Sequence, residues 1–337
     1  MKYTNLLKKL IIFTIFSVSL TKIYASGVQQ SLIFVIHEDE KYSYHQGNKL
    51  KNAATHALIQ AKHTAQNCSD CEVFIFRHKP SKIGFCFIPK PDSKSYYYRR
   101  GKLIKKKEFF RHKKGMSFGY ESEFYHKYKN NNGEDSRHLF IYFGHQIPET
   151  HIPGYSRSNP DDVFSVDELS MGLKKFSKKF DVLMLSSPES GTPYKIKSLS
   201  STSDFIIASA SNLSLPYFIF NLSEHIDYLG VGPVEKWAWK LQSELFESLQ
   251  KSSLTDISVV LYQTNQIRPW LDLILPDYFG ILRKHYQYMP WKSKDCLHIP
   301  EFQKEGYQNG VTSLYHRGAW QHGPEIFDHS GWSCPVY

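Results

Sequence analysis

His145, the turn that begins Ser186-Ser187-Pro188 and a run of cations after Arg99 are where this chain could do chemistry. His145 ends the apolar run HLFIYFGH, and histidine is the side chain suited to moving protons near neutral pH. A second apolar run, FDVLML, ends in Ser186-Ser187-Pro188-Glu189-Ser190-Gly191-Thr192. Neighbouring parallel strands bring their carboxyl ends into one crevice. One end then offers His145 as a base, and the other is where a nucleophile belongs. Pro188 has no nucleophilic atom and no N–H. Ser190 is the alternative nucleophile, and its hydroxyl would need a well-placed base. No G-x-S-x-G elbow is present. His145, His151 and Asp161 or Asp162 match no tight zinc spacing, so neither metal nor cofactor is expected.

The net charge of +10 is local. Lys2, Lys8, Lys9 and Lys22 lie at the start, and the stretch Arg99–Gly115 carries nine cations against Glu108 alone. The remainder is close to neutral, which argues against a nucleic-acid partner. A solvated loop or edge hairpin is the plain reading of such a run. As a binding patch, Lys105, Lys106 and Lys107 would meet an anionic surface ligand: a glycan, lipid headgroups or an acidic partner.

Residues 1–25 read as a signal peptide: a positive start, an apolar stretch from Leu10 to Leu20, and Ala25 at the cut. The apolar stretch is short for a bilayer span, and an uncleaved signal anchor is the alternative. Export permits disulfides among the five cysteines. Cys296 and Cys334 flank the C-terminal segment, where a bridge would staple it. Cys68-Ser69-Asp70-Cys71 lies between a helix and a strand, which is not the thioredoxin setting. A structural bridge involving Cys68, Cys71 or Cys86 is expected, and an odd count leaves one thiol over. Asn67, Asn212 and Asn221 are sequons that matter only in a glycosylating host.

The elements that must position these residues follow from periodicity. Strands are expected at Ser31–His37, Glu72–Arg77, Leu139–Phe143, Phe180–Leu185, Asp204–Ser209 and Ile257–Tyr262. Helices are expected at Asn48–Ala65, Met116–Lys129, Ser165–Lys178 and Pro233–Gln250, with Ser165 and Glu168 forming a capping box. Ile83–Pro89 and Ser95–Ile104 suggest a β-hairpin leading into the basic run, and Tyr194–Ser203 has no clear pattern. Strands alternating with helices indicate an α/β domain with a mostly parallel sheet over residues 26–275. Residues 276–337, rich in Tyr, His and Trp, read as a small irregular C-terminal cap or subdomain.

This order of elements resembles the clostripain-like cysteine peptidases, relatives of gingipains and caspases. SLIFVIHEDE is similar to their first strand, and HLFIYFGHQ to the strand ending in the catalytic His-Gly. SVDELSMGLKKFSKKFDVLMLSSPESGT is similar to a helix, Phe-Asp, a strand and an Asp-Ala-Cys-x-x-Gly-Thr turn. SDFIIASAS and ISVVLYQTNQI are similar to the strands that follow. The likeness spans Ser31–Asp272 and implies a caspase-like fold. In that family a Cys thiolate attacks a peptide carbonyl, His transfers protons, and backbone N–H groups hold the oxyanion. The resemblance puts His145 at the base position, Gln146 at the oxyanion Gly and Pro188 at the nucleophile. It therefore implies an exported, catalytically inactive homologue acting as a binding or scaffold module. The groove over the strand ends would hold an extended peptide or protein segment. The alternative is an active peptidase using Ser190 or a spatially close Cys, such as Cys86, with His145 as base. Without a nucleophile, self-cleavage is not expected, and the chain stays in one piece after signal removal.

Overall fold

The apolar runs become the strands of one sheet. A computed structural model describes residues 30–38, 43–46, 49–80, 82–83, 89–110, 118–130, 136–150, 152–153, 163–210, 222, 232–251, 256–288, 295–318 and 329–334. The expected signal peptide, Cys86, His151, Asp161, Asp162, Asn212 and Asn221 lie outside them. Numbered along the chain, the strands of this sheet are β1 (Gln30–His37), β2 (Cys71–His78), β3 (Ser93–Arg99), β4 (Lys102–Phe109), β5 (Arg137–Phe143), β6 (Phe180–Ser186), β7 (Ser203–Ala208), β8 (Ile257–Gln263) and β9 (Val311–His316). They form a nine-stranded sheet in the order β9-β8-β7-β6-β5-β1-β2-β3-β4. The five central strands, β7 to β2 in that order, run parallel. Antiparallel pairs finish both sides. Every residue of β1 and β2 is buried, because helices cover both faces and leave no strand face for polar residues.

One face is covered by α1 (Ala53–Asn67) and, further along, a long helix (Val234–Gln250). Ala53, Ala54, Ala57, Ala61 and Ala65 give α1 a small-residue stripe that lets it lie close to the sheet. Between them in sequence, α2 (Gly119–Tyr128), α3 (Val166–Lys174) and α4 (Pro193–Leu199) pack on the other face. The long helix is therefore α5. α6 (Thr264–Ile274) and α7 (Tyr278–Tyr288) join the second layer through Trp270, Leu271, Tyr278 and Leu282. The result is a three-layer α/β/α fold. No helix among the described residues is long and apolar enough to cross a membrane.

Local chemistry moves several boundaries. The helix expected from Asn48 starts at Ala53, because the Asn52 side chain caps it by accepting from Thr55 N at 2.8 Å. Lys49–Asn52 instead pairs antiparallel with Ser43–Gln46. The hairpin is not formed between residues 83–89 and 95–104. It joins β3 to β4, while Lys82–Ile83 pairs with Pro89–Lys90. Lys102–Phe109 of the basic run is thus itself a strand, since its partner β3 supplies the apolar Tyr96-Tyr97-Tyr98. Tyr194–Ser203 contains α4, capped by Thr192 and begun by Pro193.

The C-terminal region is less irregular than its sequence reads. β9 pairs antiparallel with β8 and forms an edge of the main sheet, so Val311–His316 belongs to it. The residues of β9 are all half-exposed, which hides the strand from an apolar pattern. Disulfides join Cys296 to Cys334 and Cys68 to Cys71. The first closes a loop of 38 residues and the second a loop of 3. Loop-closure entropy alone predicts that replacing Cys296 and Cys334 by Ala lowers stability by about 4 kcal/mol, and replacing Cys68 and Cys71 by roughly 2 kcal/mol. Urea unfolding of the two double variants checks the order.

Candidate active site

β5 and β6 lie side by side, and their carboxyl ends carry the residues singled out by sequence. Asp181, at the start of β6, accepts from His138 N at 2.6 Å and from the Arg137 guanidinium at 3.2 Å. That locks the amino ends in register. At the other end Phe143 pairs with Ser186, and Gly144 N donates to Ser186 O at 3.3 Å. His145 and Pro188 each lie two residues beyond that pair. Both are half-buried. Gly144 gives the Tyr142 hydroxyl its room, since a Cβ there would press on that hydroxyl and sit 3.2 Å from the His37 Cβ. β1 adds His37, whose Nδ1 lies 3.5 Å from the Tyr142 hydroxyl. β2 adds His78, held 3.3 Å from Glu121 and 3.0 Å from the Ser93 hydroxyl.

The turn after β6 is closed on itself. The Ser187 and Ser190 hydroxyl oxygens are 2.5 Å apart, and the Ser190 hydroxyl also donates to Ser187 O at 3.0 Å. Both serines are buried, with Ser190 at 0% exposure. Glu189 takes a left-handed φ of 48°, a conformation unfavourable to a residue with a Cβ. Two contacts hold it there. The buried Lys195 Nζ donates to Glu189 O at 2.8 Å. Gln146 Nε2 donates to Glu189 Oε2 at 2.9 Å. The second contact bridges the crevice between the two strand ends.

More remote segments pin the same turn. Gly191 N donates to Ser209 O at 2.8 Å, and Gly191 O accepts from Ser333 N at 2.9 Å. A Cβ on Gly191 would strike the Tyr262 hydroxyl and come within 3.2 Å of Ala210. Tyr262 in turn donates to Gly331 O. Trp332 packs against Tyr262 and Trp270 with ring centroids 4.8 and 4.7 Å away. The stapled C-terminal segment therefore forms the back of the turn.

Sequence reasoning brought together His145, Gln146, Pro188 and Ser190. It missed Glu189, Lys195 and Glu149. A lysine in a helix normally faces water, so nothing local marks Lys195 as buried. Lys105, Lys106 and Lys107 lie elsewhere, exposed on the edge strand β4. Among the described residues no group of His, Cys, Asp and Glu is placed to hold a metal ion. A cavity of about 1120 Å³, lined by Trp239, Phe205 and Leu261, lies at the amino end of β7, opposite the crevice.

No family model matches the sequence, and no curated relative matches it. Solved structures do match in fold. A secreted C11 cysteine protease from Bacteroides thetaiotaomicron, "iotapain", aligns over 90% of this chain and 93% of its own, with TM-score 0.56 and 12% identity. An inactive zymogen C11 protease from Parabacteroides distasonis aligns over 92% and 93%, with TM-score 0.56 and 9% identity. A secreted C11 protease from B. thetaiotaomicron bound to an irreversible peptide inhibitor covers 77% of this chain and 71% of its own, at TM-score 0.54 and 12% identity. The chain has the caspase-like α/β fold of the C11, clostripain-like cysteine proteases.

Burial pushes the Lys195 ammonium down from 10.5 to about 8, opposed by the Glu149 and Glu189 carboxylates. Glu149 is itself buried and accepts from the Tyr278 hydroxyl at 3.2 Å. Between these two pH values the unfolded chain holds a proton that the folded protein has lost. Stability therefore rises with pH across that window, by up to about 3 kcal/mol. Lys195→Met should remove that rise, as read by urea unfolding of both proteins at pH 7.5 and above.

Proposed function

We propose that this chain is an exported homologue of the C11 peptidases that has lost catalysis and serves as a binding or scaffold module. What supports the reading is Pro188 at the place where the resemblance to the family puts the thiol, just beyond the strand that pairs with the one leading to His145. Proline removes the attacking atom and one backbone N–H together. Loss of the nucleophile alone removes most of the rate in hydrolases of this type. The hydroxyls of the turn do not replace it. Ser187 and Ser190 are buried and bonded to each other, so neither faces a substrate. Cys86 lies outside the described residues.

The oxyanion position argues the same way. Gln146 keeps a backbone N–H, but its side chain is bonded to Glu189 across the crevice that a scissile carbonyl would enter. Two of the fold relatives are described as secreted, which agrees with the lysine-led apolar start of this chain. A crevice over parallel strand ends, kept in shape without its reaction, suits an extended polypeptide ligand.

Purified protein should release no fluorophore from Arg-, Lys- or Asp-reporter peptides above the buffer rate. Peptidyl probes that trap active-site thiols, and fluorophosphonates that trap serines, should leave it unlabelled. Labelling that disappears in His145→Ala would overturn the reading.

A further inference from the structure

We propose that the outer edge of β4 receives an extended acidic polypeptide segment as an added strand, held by the backbone ladder and by Lys105, Lys106 and Lys107. The surface is independent of the strand-end crevice. β4 is the last strand of the sheet, and among the described residues none pairs with its outer side. Seven of its eight residues are exposed. An edge of that length offers a row of backbone donors and acceptors to another chain.

The charge on this edge selects the partner. Lys106 lies opposite Tyr96, and Lys105 opposite Tyr97. Tyr96 and Tyr97 belong to the two different core layers, so these lysines emerge on opposite faces of the sheet. On the α1 face, Lys62 and Lys106 gather over one ring, 4.6 and 5.9 Å from the Tyr96 centroid. Burial, and next the charge of Lys106, lowers the Lys62 pKa, so positive potential accumulates there. On the other face Lys107 sits 5.3 Å from the Tyr120 ring. Glu108 is the one carboxylate of the strand and is paired with Lys94 at 2.5 Å. Leu103 and Ile104, 49% and 54% exposed, interrupt the lysines with apolar contacts for an incoming strand.

Lysines on an edge strand repel a second edge of the same sign, which rules out pairing between two copies through β4. They leave the edge open to a chain bearing carboxylates on both faces. A flat anionic bilayer would favour cations gathered on one face, and here they emerge on both.

Fluorescence anisotropy with a labelled strand-forming peptide of about ten residues, built of Glu, Val and Thr, tests the proposal. A second peptide, N-methylated at alternate residues, keeps the charge and loses the backbone donors. Vesicles of phosphatidylserine and phosphatidylcholine form the third arm. Binding of the first peptide should weaken as salt rises. The N-methylated peptide should bind at least about tenfold more weakly, as should the first peptide to Lys105→Glu/Lys106→Glu/Lys107→Glu. Equal binding of the two peptides, unchanged binding by the triple variant, or vesicle binding without peptide binding would each overturn it.

Discussion

The turn between β6 and α4 depends on one left-handed residue, Glu189, and on the groups that hold it there. A residue with a Cβ in that conformation costs of order 1 kcal/mol or more, and persists only where its surroundings determine it. Here they do so from three directions. Lys195 anchors the carbonyl from α4, Gln146 anchors the carboxylate from the end of β5, and Ser333 and Ser209 fix Gly191 from the C-terminal segment and β7. Burying Lys195 is itself unfavourable, so the turn draws on stability built elsewhere in the fold. The nine-stranded sheet, the C-terminal staple and the Trp332 stack all converge on its shape.

On the function proposed above, that shape is kept without an attacking group. In a peptidase of this fold the strand-end crevice exists to align a nucleophile, a base and oxyanion donors within hydrogen-bond reach. In this chain the two strand ends still lie side by side, and the polar groups of the turn are bonded to one another and to Gln146. Ser190 and Ser187 satisfy each other, and Gln146 and Glu189 do the same across the gap. Polar groups that are already paired and buried stabilise a fixed surface, and are poorly disposed to exchange protons with a substrate.

What the sequence made legible was what local pattern controls. Runs such as LIFVIH and FDVLML read as buried strands, and Ser165 with Glu168 announced α3. That β5 and β6 end side by side followed from their order in the chain, whereas the role of position 188 came from the family resemblance alone. The basic run was harder, because lysine disfavours strands and only the neighbouring Tyr96-Tyr97-Tyr98 makes β4 one. β9 was invisible for a related reason, being half-exposed along its length. The contacts that govern the turn were out of reach. Ser333 to Gly191 and Gln146 to Glu189 join segments far apart in sequence, and a buried lysine has no local signature.

The central claim is that position 188 is a nucleophile position beside a retained base. The most direct test places a thiol there, as Pro188→Cys in a Cys86→Ser background, and follows its alkylation rate against pH. The account predicts a thiol pKa below the free value of about 8.5, returning to it when His145→Ala is added. A thiol that titrates at the free value with His145 present, and is unchanged by its removal, would contradict the account.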